Sequence, residues 1–260
     1  MCWKDSDCLH FASTMEGAIW WGVFSALDQW CISHRPGRPQ TRRPTDADLV
    51  EAVRDGGLKA HLLEKFANEY QVFRYPLNLK NQREERLNAV GIAVHQTYCC
   101  HGVPKPADLA RMWWTAIGEV RNAMARFGPT ANLKSFCMKS LWLYHPARAT
   151  MWDSFAVRAL NAQLNKQHDD KIVCVNDAAA FLRNFENLFE AQNALINEVI
   201  EKSQSVIGQR YAYPRRVLDK ALWLLGEEDE EKKNGAWRMI LGTNAKVRAA
   251  TEQRFPRLAA

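Results

Sequence analysis

Residues 133–160 read LKSFCMKSLWLYHPARATMWDSFAVRAL, and this stretch decides the fold class. Its apolar residues recur every three or four positions on both sides of His145-Pro146, which is the spacing of helices that bury one face. Proline ends a helix because it has no backbone N–H and its ring clashes with the preceding turn. The stretch therefore predicts two helices, at 133–145 and 154–167, with a short connection between them.

The same spacing continues through the rest of the chain, and the alternating patterns that are typical of β-strands are scarce. The sequence predicts an all-α protein, folded as a compact two-lobed helical bundle. We expect one globular unit over 1–260, in which 1–105 and the C-terminal helices form one lobe and 106–210 form the other. Eight further helices are predicted, at 14–32, 46–55, 58–71, 82–101, 106–127, 176–207, 214–225 and 235–250.

Residues that start and stop helices support several of these bounds. Side chains that favour a helix start stand at Thr45-Asp46, at Pro106 with Asp108, and at Asn176-Asp177. Glycine and proline mark breaks at Pro36-Gly37, Gly56-Gly57, Gly128-Pro129 and Tyr213-Pro214.

The chain can bury a large core without the help of disulfide bonds, because 47% of its 260 residues are hydrophobic. The seven cysteines are an odd number without a CxxC pair, a pattern typical of a reducing cytoplasm. No apolar run approaches the roughly 20 residues of a membrane span. The sequence holds no zinc-protease, nucleotide-binding or clustered His/Cys motif. We expect a cytoplasmic monomer without metal or cofactor.

The charge distribution points to a polyanionic partner such as DNA. The net charge is +6, and acidic residues are concentrated in GEEDEEKKNG at 226–235, so the rest of the chain is more basic than the total. The segment 33–46, SHRPGRPQTRRPTD, predicts an exposed loop that either contacts phosphate or is a solvated linker. A second arginine group stands at a helix start, where it either meets phosphate or solvates the helix end. The arginines concerned are Arg35, Arg38, Arg42 and Arg43 in the loop, and Arg215 and Arg216 at the helix start.

Asp153 stands immediately before the amphipathic run SFAVRALNAQL and is predicted to cap that helix, which would hold its carboxylate in a fixed position. Lys134 lies 19 residues earlier, in the first turn of the preceding helix. Lys139 is a competing lysine, but it lies about 140° around the helix from Lys134, so the two are not expected to face one pocket. A plain helix cap and a surface lysine are the structural alternatives for Asp153 and Lys134.

The order of elements from Gly128 to Leu164 resembles the helix-hairpin-helix superfamily of DNA glycosylases. In that family a lysine that opens the second helix of the hairpin and an aspartate that caps a following helix face one another in the base-flipping pocket. By position, Lys134 matches the lysine and Asp153 matches the aspartate. MWDSFAVRAL stands where the family has its VDTHVxR-like segment, and the turn reads GPTANLK where the family usually has Gly-x-Gly.

The resemblance implies an enzyme that flips a modified or damaged base out of DNA and cleaves its N-glycosidic bond, leaving an abasic site. Asp153 would stabilise the positive charge that builds on the sugar or orient water. Lys134 would attack the sugar and form a Schiff base in a lyase mechanism. Defence glycosylases of prokaryotes, acting on modified phage bases such as glucosylated hydroxymethylcytosine, are one expected group. No iron-sulfur cluster is implied, because no cysteine follows Cys174.

A flipped base needs aromatic walls, and Trp152 with Trp20 or Trp21 are the candidates. Tryptophans at helical spacing usually belong to the core, which is the other interpretation. Asp219 is a second carboxylate, on a mostly apolar helix, and it needs a partner if it is buried. The alternative function is a non-enzymatic helical module that binds DNA or a protein, in which Asp153 is only a cap.

Overall fold

The computed structural model describes residues 13–31, 45–70, 82–99, 104–127, 133–165, 178–208 and 210–243. Within these ranges the protein is all-α, as predicted, and no strand is present. Ten α-helices are described. They are α1 Met15–Cys31, α2 Asp46–Arg54, α3 Ala60–Glu69, α4 Arg83–Tyr98, α5 Pro106–Met124 with a 3₁₀ turn Ala125–Phe127, α6 Lys134–Tyr144, α7 Ser154–Asn165, α8 Ala178–Ile207, α9 Pro214–Gly226 and α10 Glu230–Thr243.

The helix bounds agree with the predicted ones at most ends, and the chemistry of the caps explains why. Thr45 and Asp48 exchange hydrogen bonds in a capping box before α2. Gly56 and Gly57 follow α2 with positive φ angles of 116° and 98°, conformations that favour glycine. Pro214 is the first residue of α9, where its missing N–H costs nothing. The predicted breaks at Pro36-Gly37 and Gly128-Pro129 and the predicted cap at Asn176-Asp177 lie outside the described residues.

Helix α10 is where the predicted bounds were wrong. It was expected at 235–250 and runs from Glu230 to Thr243, so the acidic segment that was taken as a connection forms its first turn. The Asp229 carboxylate accepts the backbone N–H groups of Glu231 at 3.0 Å and Lys232 at 3.2 Å. Acidic side chains are favourable at a helix N-terminus because the backbone dipoles place positive charge there. Lys233 pairs with Glu230 and limits the repulsion within the turn.

The chain divides into two compact units. The first unit combines residues 1–38 with 153–260, and the second comprises residues 39–152. These bounds differ from the expected lobes of 1–105 with the C-terminal helices and 106–210. The reason in the first unit is that α9 packs on α1, α7 and α8, which joins the two ends of the chain in one core.

The core of the first unit depends on two close helix approaches at glycine. A Cβ at Gly22 of α1 would lie 2.4 Å from the carbonyl oxygen of Val217 in α9. A Cβ at Gly226, the last residue of α9, would lie 1.9 Å from the carbonyl oxygen of Phe155 in α7. Both helices therefore pack on α9 at distances that only glycine permits.

Gly226→Ala is expected to lower the free energy of unfolding by about 1–3 kcal/mol, because the added methyl group forces the backbones of α9 and α7 apart. Urea unfolding followed by circular dichroism measures the change. Gly235→Ala in α10 is the matched control, since its Cβ would meet no atom of the described part of the chain within 4 Å and alanine favours a helix by about 0.5–1 kcal/mol. A Gly226→Ala protein as stable as the wild type would contradict the close approach.

The second unit is built on α4, which contacts α3, α5 and α6. Helix α5 also packs on α6, and α6 packs on α2. The hydroxyl of Tyr98 in α4 donates to the carbonyl oxygen of Cys137 in α6 at 2.8 Å inside this core. No helix in the described ranges is long and apolar enough to cross a membrane.

Candidate functional site in the first unit

Asp153 caps α7, as the sequence predicts. Its Oδ1 accepts the backbone N–H of Ala156 at 2.9 Å, and its backbone carbonyl accepts the N–H of Val157 at 3.1 Å. Its other carboxylate oxygen, Oδ2, accepts no hydrogen bond from the part of the chain that the structure describes. The side chain is partly exposed. The carboxylate is thus fixed through one oxygen at the positive end of a helix, and the second oxygen remains for a ligand.

A buried ion pair on α9 provides the second carboxylate. The guanidinium of Arg216 donates to the carboxylate of Asp219, and both residues are buried, with exposed fractions of 3% and 4%. Arg216 also donates to Oε1 of Gln29 in α1 at 3.1 Å. Burial without such partners would be costly for both charges. The pair therefore joins α9 to α1 and holds an acid inside the unit.

The pKa of Asp219 is raised to about 6, first because the carboxyl is buried. The positive charge of Arg216 opposes this rise, the negative charge of Asp153 adds to it, and the positive charge of Lys220 opposes it. The influence of Asp153 on Asp219 means that the two acids share one electrostatic environment. We call Asp153 and Asp219 the carboxylate pair. One member is partly exposed at a helix start, and the other is buried with a pKa near neutrality.

Three aromatic rings pack together in the same unit as the carboxylate pair. The ring of Trp223 stacks on that of Trp21 at 5.7 Å between centroids and 15° between planes. It also contacts the ring of Phe155 at 5.6 Å. These contacts join α9, which carries Asp219, to α1 and to α7, which Asp153 caps. Trp223 and Phe155 are partly exposed, so the cluster of rings reaches the surface of the unit.

The three tryptophans predicted as base-stacking walls are buried in the core. Trp20 packs on Phe24 at 5.6 Å, and Trp21 stacks on Trp223 as described. Trp152 belongs to the second unit, where its ring lies 6.0 Å from that of Trp113. None of the three shows an exposed ring face on which a base could stack in this conformation. The core interpretation considered from the sequence describes them, because Trp20 and Trp21 are buried on α1 and Trp152 is buried in the connection before α7.

The two candidate lysines lie in the second unit and contact different residues. Lys134 is the first residue of α6; its ammonium lies 5.9 Å from the ring centroid of Trp114, and its carbonyl oxygen accepts the indole N–H of Trp113 at 2.9 Å. Lys139 donates to the carbonyl oxygen of Tyr70 at 3.4 Å and lies over the ring of that residue. This divergence agrees with their expected separation around the helix. The hairpin turn at 128–132 lies outside the described residues.

The arginines at the start of α9 are engaged inside the protein. Arg215 pairs with Glu186 of α8, with Nε 3.2 Å from Oε2, and its guanidinium lies 4.2 Å from the ring centroid of Phe189. Arg216 is buried in the ion pair with Asp219. The sequence offered two interpretations of Arg216, contact with phosphate and solvation of the helix end. Neither describes this residue, because it is buried in the ion pair. The loop arginines Arg35, Arg38, Arg42 and Arg43 lie outside the described residues.

The residues that sequence reasoning missed are the partners of Asp153. Asp219 was noted as a lone acid among leucines, but its proximity to Asp153 has no signal in the sequence, because 66 residues and one long helix separate them. Trp223 and Phe155 gave no signal beyond helical spacing. In the described ranges no group of three His, Cys, Asp or Glu side chains is arranged to hold a metal ion.

Comparison with protein-family models, with curated proteins and with solved structures finds no match for this chain. The site is therefore interpreted from its own residues.

The raised pKa of Asp219 predicts a pH dependence of stability. A folded-state pKa of about 6 lies above the ordinary value of 3.8, so the folded protein holds a proton between these values that the unfolded chain releases. The stabilisation is complete below about pH 4 and is lost as pH rises through about 6, an effect of the order of 3 kcal/mol.

Urea unfolding of the wild type and of Asp219→Asn between pH 4 and pH 7 measures this contribution. The difference between the two curves isolates Asp219 from other titrating groups. We expect the wild type to lose stability relative to Asp219→Asn as pH rises. A flat difference, or one of opposite sign, would show that Asp219 has no raised pKa.

Proposed function

We propose that the protein is a DNA glycosylase that flips a modified or damaged base out of the duplex and cleaves its N-glycosidic bond through Asp153. The proposal rests on the position and the hydrogen bonding of the Asp153 carboxylate. One oxygen is fixed by the α7 backbone, and the other accepts no hydrogen bond from the described residues. The charge of Asp153 also raises the pKa of Asp219, so a second acid lies in its electrostatic environment. The position of Asp153 in the stretch that resembles helix-hairpin-helix glycosylases adds support.

The reaction suits a fixed carboxylate. The bond between C1′ of the sugar and the base nitrogen breaks, and its electron pair leaves with the base. Positive charge then builds on the sugar ring, and a preorganised anion stabilises that charge without having to reorganise. Water adds to C1′ and gives its proton to the departing base, so that the products are a free base and an abasic site. No cofactor is required for this step.

The roles of the two acids differ because their environments differ. Asp153 is the catalytic residue of the proposal, since its open Oδ2 can approach the sugar. Asp219 is buried and bound to Arg216, so it is not expected to touch the sugar. We propose that it is a positioning residue, which shares its electrostatic environment with Asp153 and joins α9 to α1 through Arg216.

The substrate class follows from the resemblance together with charge. A net charge of +6 favours a nucleic-acid partner. The proposed targets are modified bases, including those of phage DNA such as glucosylated hydroxymethylcytosine. The resemblance also implies an alternative lyase mechanism, in which the amine of Lys134 would form a Schiff base with C1′; Asp153 alone is the catalytic residue proposed here.

The test incubates the purified protein with duplexes that carry uracil, an oxidised purine, an alkylated purine or a glucosylated hydroxymethylcytosine. Hot alkali then reveals abasic sites as strand breaks. We expect breaks on at least one duplex after alkali. Borohydride added during the reaction traps a covalent adduct only if a lysine such as Lys134 attacks the sugar. No break on any of the four would overturn the proposal for these substrates and favour the alternative, a helical module that binds DNA or a protein without chemistry.

A further inference from the structure

Trp114 of α5 is a large aromatic side chain at the surface of the second unit. Its exposed fraction is 47%, whereas Trp113, its neighbour in the chain, is fully buried. The two rings are in contact, with 4.6 Å between centroids and 57° between planes. The second unit thus holds an exposed indole against its core.

One cation lies close to this ring, and two more lie along the same face of α5. The ammonium of Lys134 lies 5.9 Å from its centroid, a distance at which cation and ring attract one another. Arg111 precedes Trp114 by three residues and Arg121 follows it by seven, so both lie on the same face of α5. Both are exposed, and Arg111 pairs with Asp108 at 2.7 Å.

Arg121 also carries its charge near α6. Burial raises the pKa of the Cys137 thiol in α6, and the positive charge of Arg121 opposes that rise. We call Arg111, Trp114, Arg121 and Lys134 the Trp114 surface.

The described residues leave room next to Trp114 on α5. Gly118 lies one turn after Trp114, and a Cβ added there would meet no atom of the described residues within 4 Å. None of these residues therefore blocks a planar group on this side of the helix. A base in a duplex is stacked on both faces and cannot do so, whereas an unpaired base offers a free face.

We propose that the Trp114 surface binds an unpaired stretch of DNA, with one base stacked on the indole of Trp114 and the neighbouring phosphates held by Lys134, Arg111 and Arg121. An exposed aromatic ring with a lysine 5.9 Å away and arginines along the same helix face matches the alternation of base and phosphate in a single strand. The choice of DNA over RNA rests on the proposed glycosylase function, in which a strand is opened around a flipped base.

The test measures binding of a fluorescent single-stranded thymidine oligonucleotide by anisotropy, with a duplex and a uridine RNA of equal length for comparison. Trp114→Ala is expected to weaken single-strand binding roughly tenfold, the effect of losing one stacked base, and Trp114→Phe to keep most of the affinity. Arg121→Gln should reduce the slope of log affinity against log salt concentration by about 0.7. Ile92→Ala, which changes another exposed apolar side chain of the same unit, 57% exposed, is the matched control and should change nothing.

Equal affinity of wild type and Trp114→Ala for the single strand would overturn the proposal, as would an equal loss in Ile92→Ala. Tighter binding of the RNA than of the DNA would overturn the assignment to DNA. The glycosylase assay separates this proposal from the proposed function. Base release without single-strand binding would overturn only the proposal for the Trp114 surface. Single-strand binding without base release would overturn only the proposed glycosylase function.

Discussion

We expect Asp153→Asn to lower the single-turnover rate of base release by about 100- to 1,000-fold. This is the usual effect of removing one preorganised electrostatic group. Asparagine is as good a helix cap as aspartate, so its side-chain oxygen still accepts the N–H of Ala156. What disappears is the negative charge that would face the sugar. The rate of alkali-sensitive product formation, with enzyme in excess over DNA, measures the change.

Asp229→Asn is the matched control for this substitution. Asp229 is also an aspartate at a helix start of the first unit, where it accepts the backbone N–H groups of Glu231 and Lys232. It is exposed and has no part in the carboxylate pair. We expect Asp229→Asn to release base at the wild-type rate. If Asp153→Asn does the same, Asp153 is only a cap, and the non-enzymatic interpretation gains support.

Arg216→Met is expected to lower the free energy of unfolding at pH 7 by about 3–5 kcal/mol, the typical cost of removing one partner of a buried ion pair. The methionine leaves the carboxylate of Asp219 buried near the negative charge of Asp153. The loss should shrink toward pH 4, because the folded protein then holds Asp219 in its neutral form. Urea unfolding at the two pH values measures both effects.

The double variant Arg216→Met with Asp219→Leu tests whether the cost comes from the stranded charge. Replacing both partners with apolar side chains of similar volume is often neutral for stability. We expect the double variant to recover most of the stability that Arg216→Met loses at pH 7. A double variant as unstable as the single one would mean that Arg216 acts through Gln29 or through packing instead.

The helices could be predicted because their signals are local. Apolar spacing, Pro214 at a helix start and Gly56-Gly57 at a helix end act within one or two turns, and the structure confirms each of them. The start of α10 was missed because acidic residues were interpreted by composition alone. Their position relative to the Asp229 cap makes them favourable in a first turn.

The candidate site could be predicted only in part. The cap at Asp153 is a local feature, and the sequence predicted it. The influence of Asp153 on the pKa of Asp219 depends on how α7 packs on α9, which helical spacing does not specify. The partner of Asp219, Arg216, likewise reaches Gln29 only because α9 packs on α1. Trp113 and Trp114 show the same limit: they are adjacent in the chain, yet one ring is buried and the other exposed, because only one faces the core.

The most direct test of the role of Asp153 is mass spectrometry of the products formed in ¹⁸O-labelled water on the duplex that the alkali assay selects. With the wild-type protein we expect the free base and an abasic strand in equal amounts, with labelled oxygen on C1′, and with Asp153→Asn we expect the intact strand. Free base released at equal rates by both proteins, or an intact strand with both, would contradict the proposal that Asp153 drives N-glycosidic cleavage.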